Sequence, residues 1–302
     1  MTGASPSDPE PPEHASSRID AALVRRGLAR SRGHAVRLLT DGLVLVDGRR
    51  VSKASAVVTG AADLRVSSAV EDTDYVSRAA FKLRGALDAL GALGPGVDGT
   101  DCLDVGASTG GFTQLLLERG ARRVVALDVG HDQLAASLRA DARVHVIEGC
   151  NARALTGEDL PWQPRLVVAD VSFISLTLVV PPVLGAVEGD IDLLVMVKPQ
   201  FEVGRERLGS GGVVRDPALH AESVRAVVAA AHAAGAQARA VIPSPLPGPH
   251  GNREFFVWFT RAEPHAETID DTIERAVRDV PHGDTPAAHW VGTDPPRTGG
   301  RP

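Results

Sequence analysis

The chain has 302 residues, is 43% hydrophobic and 23% charged, and carries a formal net charge of −6. This is the balance of a globular protein with enough material for a sizeable core. It argues against a helical membrane protein, because no apolar run approaches the ~18 residues of a spanning helix. The best run, Leu176–Leu184, contains Pro181 and Pro182. The N-terminal stretch is acidic and Pro/Ser-rich, without a basic segment leading into an apolar one, so no secretory signal is read and a cytoplasmic location is expected. Cys102 and Cys150 read as buried, reduced thiols at or near strand ends.

In chain order, residues 1–16 have the Pro, Ser and Glu content of a disordered tail. Residues 17–66 read as a small α/β module. A first helix, capped by Ser16 or Ser17, runs to Gly27 with Ile19, Leu23 and Val24 on one face. A second spans Ser31–Asp41 with Ala35, Leu38 and Leu39 inward, and Gly42 ends it. Leu43–Val46, the Asp47-Gly48 turn signal and Leu64–Val66 complete the module. Residues 67–74 serve as a linker. From 75 to 262 strands alternate with helices, the pattern of a mostly parallel, doubly wound α/β sheet of the Rossmann-like kind. Ser77–Leu93 is an amphipathic helix. Strands are expected near 101–105, 123–128, 143–147, 165–170, 191–197 and 237–243, with Glu254–Thr260 as an antiparallel last strand. Residues 263–302 turn polar and Pro/Gly/His-rich and are expected to be a mostly disordered tail.

Charge is unevenly spread. Between Arg18 and Lys53 nine basic residues face three acidic ones, on a chain that is acidic as a whole. A basic module on an acidic body is the footprint of a local polyanion contact. Arg18, Arg30, Arg32, Arg37, Arg49, Arg50 and Lys53 are the candidate RNA contacts, through backbone and shape more than base stacking, since aromatics are few. The run Arg-Ile-Asp-Ala-Ala-Leu-Val-Arg-Arg-Gly-Leu-Ala-Arg-Ser-Arg, followed by Gly-Leu-Val-Leu-Val-Asp-Gly-Arg-Arg-Val, resembles the RNA-binding domain of ribosomal protein S four.

Three apolar runs end at charged residues or a glycine turn: Cys102–Val105, Leu166–Asp170 and Leu193–Lys198. Ligands bind in open parallel sheets outside such strand ends, so Asp104, Asp170 and Lys198 are expected to face one crevice. The turn holds Gly106, Ala107, Ser108, Thr109, Gly110, Gly111 and Phe112. It lacks the dinucleotide G-x-G-x-x-G fingerprint and the P-loop lysine. Asp104 just before it would repel a pyrophosphate and suits a cationic ligand. Asp128, ending the next strand, is placed to accept from ribose hydroxyls. Together these features point to an S-adenosylmethionine (SAM) site.

Across residues 75–260 the chain resembles the FtsJ-like ribosomal RNA methyltransferases, whose ribose 2′-O-methyltransferases carry a Lys-Asp-Lys-Glu set. The contexts are Ser-Arg-Ala-Ala-Phe-Lys-Leu, Val-Ala-Asp-Val-Ser-Phe-Ile-Ser, Val-Lys-Pro-Gln-Phe-Glu and Gly-Asn-Arg-Glu-Phe. The last three, joined to the basic module, are similar to the TlyA family, historically named hemolysins. The resemblance implies SAM-dependent 2′-O-methylation of cytidine in 16S and/or 23S ribosomal RNA by Lys82, Asp170, Lys198 and Glu254. It casts Lys198 as the base or orienter of the hydroxyl, Lys82 as the cation lowering its pKa, Asp170 as the holder of Lys198, and Glu254 as the orienter of Lys82 or substrate. Ribosomal RNA in ribosomal subunits is the implied partner. The alternative is a non-catalytic RNA-binding ribosome assembly factor; membrane lysis finds no spanning helix or export signal. Residues 200–214, rich in glycine, read as a mobile loop closing over RNA. Single histidines such as His250 are irregularly spaced, so no metal site is expected.

Overall fold

A computed structural model describes residues 16–29, 31–40, 44–51, 53–66, 75–209, 211–261, 269–279 and 286–291. The expected N-terminal tail before Ser16, the linker 67–74 and Arg30 lie outside them. The chain divides into two units, Met1–Asp72 and Thr73–Pro302.

In the first unit, β1 (Ser17–Arg18) leads into α1 (Ile19–Arg25), followed by α2 (Arg32–Thr40), β2 (Val44–Val46), β3 (Arg49–Arg50), β4 (Val57–Val58) and β5 (Leu64–Val66). β2 pairs antiparallel with β3 and β5, and β1 pairs with β4. The expected serine cap is absent: Arg18 is the N-cap residue, and the Ser17 hydroxyl accepts from Arg25 instead. Ile19, Leu23, Ala35, Leu39 and Val44 are fully buried and form the core of the unit. Burying each large apolar side chain stabilises by roughly 1.5–3 kcal/mol.

The second unit runs α3 (Ala79–Leu90), β6 (Asp101–Val105), α4 (Gly111–Glu118), β7 (Arg123–Asp128), α5 (Ala136–Arg139), β8 (Val144–Glu148), β9 (Leu166–Ala169), α6 (Val180–Ala186), β10 (Asp192–Val197), α7 (Pro199–Glu202), α8 (Pro217–Ala233), β11 (Gln237–Pro243), β12 (Phe255–Thr260), α9 (Asp270–Arg278) and β13 (His289–Trp290). Eight strands form one sheet in the order β13-β11-β12-β10-β9-β6-β7-β8. β8, β7, β6, β9 and β10 are parallel neighbours; β12 is antiparallel to both β10 and β11. Chain order therefore reverses between β6 and β9, which is the switch point where an open α/β sheet binds ligands.

Strand alternation sends Leu103, Val105, Val167, Val195 and Phe255 into one core with α6, α8 and α9. Cys102, Val168, Met196, Phe256 and Trp258 go into the other, with α3 and α4. Every residue of β10 is buried, as expected for a central strand covered on both faces.

Two expectations change. The polar segment after residue 262 contains α9, which buries Ile273, Ala276 and Val277, and β13, which pairs with β11. Three apolar positions among charged ones hide such a helix from a compositional reading. Cys102 is fully buried, whereas Cys150 is only half-buried; neither forms a disulfide. Among the described residues no helix is long and apolar enough to cross a membrane, and no metal-ligating cluster is present.

Candidate active site

Register decides which side chains meet at the carboxyl edge of the sheet. β10 and β12 pair with Val197 opposite Phe255, so Lys198, one residue past β10, stands across from Glu254, one residue before β12. β9 and β10 pair with Ala169 opposite Val195, which brings Asp170 to the same edge. Glu254 and Phe256 share a face of β12, the face covered by α3, and α3 supplies Lys82.

The four side chains form two ion pairs. Lys82 Nζ lies 2.6 Å from Glu254 Oε2, both groups buried, and Lys198 Nζ lies 2.6 Å from Asp170 Oδ1. Lys198 also donates to the Ser172 hydroxyl (3.0 Å), and Gln200 Nε2 donates to Glu254 Oε1 (3.1 Å). Two cations matched by two carboxylates keep a partly desolvated cluster electrically balanced. Ser172 and Gln200 were not singled out in the sequence, although each stands two residues beyond a catalytic candidate.

The turn after β6 brings its backbone close to neighbouring segments at two glycines. Gly106 has φ +86°, and a Cβ there would lie 2.8 Å from the Asp170 carbonyl oxygen; Gly110, at φ +101°, would meet Leu138 at 2.3 Å. Only glycine combines that backbone with that closeness. Asp104 is fully buried. Its Oδ2 accepts from the Thr113 hydroxyl (2.7 Å), and its Oδ1 has no hydrogen-bond partner. Burial pushes its carboxyl up to about 7, reinforced by the charges of Asp170 and Asp128 and opposed by Thr113. Asp128 Oδ2 accepts from Ser108 N (2.8 Å) and Oδ1 from Gly130 N (2.7 Å), so this carboxylate shapes the turn. Of the turn residues proposed to touch the cofactor, Ser108 and Thr109 are partly exposed. Phe112 instead belongs to the core, stacked on Phe256 at 6.1 Å. An orphaned buried carboxylate oxygen beside a glycine-rich turn fits a cationic, close-lying cofactor.

Next to Lys198 is a feature the sequence reading passed over. Phe173 is 67% exposed with φ +66°, a backbone region that non-glycine residues seldom occupy, and its ring lies 5.2 Å from that of Phe201. Glu202 holds the two segments together, accepting from the Ser175 hydroxyl (2.5 Å) and from Leu176 N (2.9 Å).

In the first unit Arg18, Arg32, Arg49 and Lys53 are exposed. Arg18 pairs with the buried Asp20 at 3.1 Å, and Arg32 reaches the same carboxylate at 4.0 Å. The side chains of Arg37 and Arg50 lie outside the described residues. Arg26 is committed to structure through the carbonyls of Gly60 and Ala62.

Residues 75–261 match the FtsJ-like methyltransferase family, and residues 17–64 match the S4 domain. The fold and the comparisons thus define a SAM-dependent methyltransferase joined to an S4 domain. The 16S/23S rRNA (cytidine-2′-O)-methyltransferase TlyA of Mycobacterium tuberculosis is 49% identical over 88% of this chain and 98% of its own length. Hemolysin A of Brachyspira hyodysenteriae is 35% identical over 80% of this chain and 99% of its own. A solved structure assigned as a hemolysin from Streptococcus thermophilus superposes with a TM-score of 0.64, at 34% identity, covering 87% of this chain and 94% of that one. The chain belongs to the TlyA family.

Proposed function

We propose that the protein methylates the ribose 2′-hydroxyl of cytidine in ribosomal RNA, 16S and/or 23S, using Lys82, Asp170, Lys198 and Glu254, and that it works in the cytoplasm on ribosomal subunits. The observation that carries this reading is the doubly paired cluster, Lys198–Asp170 beside Lys82–Glu254, at the switch point next to the glycine turn. The TlyA relative named for this activity supports the substrate class.

SAM supplies an electrophilic methyl group when bound. The chain's own residues do the rest. The turn from Gly106 to Gly111 would let the backbone approach the cofactor, Asp104 would offer its unpartnered oxygen to positive charge, and Asp128, which sets the turn, would accept from the ribose hydroxyls. Lys198, held from two sides by Asp170 and Ser172, orients the substrate hydroxyl, and the Lys198–Asp170 pair takes its proton. Lys82, fixed by Glu254, lends a second positive charge that favours loss of that proton. Phe173 and Phe201 offer a face on which an unstacked base rests, as is usual where chemistry is done on a nucleotide taken out of its stack. Arg18, Arg32, Arg49 and Lys53 of the S4 domain supply phosphate contacts.

The test is transfer of labelled methyl from SAM to isolated 30S and 50S subunits, with wild type beside Lys198→Ala. Label in a ribose of the wild-type reaction, reduced at least about a hundredfold in the variant, supports the reading. Binding to RNA and SAM without transfer to either particle would favour a non-catalytic assembly factor.

A further inference from the structure

The second unit continues past residue 261, where the methyltransferase family match ends, and this continuation touches the start of β12 through Arg253. The Arg253 guanidinium donates from Nη1 to the Val277 carbonyl (2.6 Å) and from Nη2 to the Asp279 carbonyl. These carbonyls belong to the end of α9, where the backbone lacks intrahelical donors and carries the negative end of the helix dipole. α9 is itself anchored: Ile273, Ala276 and Val277 are buried, and the Thr272 hydroxyl donates to the Trp290 carbonyl of β13 at 2.9 Å.

Neighbouring residues of an extended strand point to opposite faces. Phe255 enters the core with α9, and Phe256 enters the core with α3. The two residues before them keep the alternation. Arg253 lies over the Phe255 ring at 5.4 Å and grips α9, whereas Glu254 reaches Lys82 on α3 and Gln200 on α7. The residue next to Glu254 is thus held by a fork on the far side of the sheet.

We propose that Arg253 is a positioning residue for methyl transfer: by tying the start of β12 to the end of α9, it fixes where the Glu254 carboxylate meets Lys82. The C-terminal segment 269–291 then belongs to the catalytic apparatus. This rests on the reading of Glu254 as a member of the catalytic set. Two carbonyls spaced along a helix end suit the planar guanidinium fork, and a lysine reaches only one of them.

The test is a double-mutant cycle in the full-length chain, with kcat, the KM values for SAM and ribosomal subunits, and the melting temperature recorded for each variant. Arg253→Gln is expected to lower kcat by about ten- to a hundredfold while both KM values stay within about twofold; Arg253→Lys recovers part of the loss. In a Glu254→Gln background the same Arg253→Gln change should cost less than about twofold, because the group it positions is already gone. An equal loss in both backgrounds, a loss confined to KM, or an unchanged kcat overturns the proposal. Should Arg253→Gln fail to fold, Arg253→Lys enters the cycle in its place with the same expectation of non-additivity. Full activity of Glu254→Gln alone would overturn the catalytic set itself, a failure distinguishable from additivity.

Discussion

Asp101 and Asp104 stand at the two ends of one strand, β6, and the sheet treats them in opposite ways. At the amino end, Asp101 receives hydrogen bonds from the guanidinium groups of both Arg122 and Arg123. Burial raises its carboxyl, but those bonds and charges win and hold it at about 2. At the carboxyl end Asp104 meets no cation, keeps an oxygen without a partner, and is pushed to about 7. Two residues of chain separate a satisfied carboxylate from a frustrated one. The amino edge pairs its carboxylate, and the carboxyl edge leaves one without a partner, the kind of local inconsistency expected at functional sites.

The largest effect should come from removing the unpartnered carboxylate. Asp104→Asn keeps the shape and is expected to weaken SAM binding at least about tenfold, since a full charge interaction inside a protein is worth ~1.4 kcal/mol or more, with the melting temperature unchanged or raised; titration calorimetry and a thermal melt check both. In the wild type, SAM affinity should rise as pH passes upward through 7 and Asp104 ionises, and this rise should vanish in Asp104→Asn. An identical pH profile in the variant would assign the titration to another group.

Asp101→Asn should do the reverse, lowering stability by about 2 kcal/mol in a denaturant titration while leaving SAM affinity alone. The two aspartates also give opposite stability profiles. Asp101, depressed when folded, contributes stability that is present above its ordinary range near pH 4 and lost as pH falls through 2. Asp104, raised when folded, contributes stability that is present below pH 4 and lost as pH rises through 7 in the absence of cofactor. Chemical denaturation from pH 2 to 8 should therefore show the acid-side loss disappear in Asp101→Asn and the neutral-side loss disappear in Asp104→Asn.

The smallest expected effect concerns Phe173. Phe173→Gly relieves a left-handed backbone and should raise stability by up to about 1 kcal/mol while reducing kcat/KM for RNA and sparing SAM affinity. A variant with undiminished RNA methylation would remove the stacking role.

Much of the carboxyl edge was legible because β6, β9 and β10 announce themselves: apolar runs stopping at Asp104, Asp170 and Lys198 need little else to be placed at strand ends. The glycine turn was equally plain, since consecutive glycines between strand and helix have few other uses. The contribution of register was not legible. Gln200 and Ser172 matter because β12 returns antiparallel beside β10 and because β9 aligns with it, facts that no local pattern encodes. The direction of Phe112 was hidden for a related reason: a residue in the first turn of α4 looks like part of the cradle, and its ring turns inward to Phe256. α9 escaped because a nine-residue helix with three buried apolar positions has the composition of a loop.

Lys82 and Glu254 are 172 residues apart in the chain. Such a contact closes late, after the intervening strands have paired and the loop entropy between them has been overcome. Domains emerge from synthesis amino end first, so a partly made chain presents the S4 domain and the glycine turn well before it owns Glu254. The Lys82–Glu254 pair is accordingly among the last contacts the growing chain can make, and it closes only when most of the sheet has been synthesised.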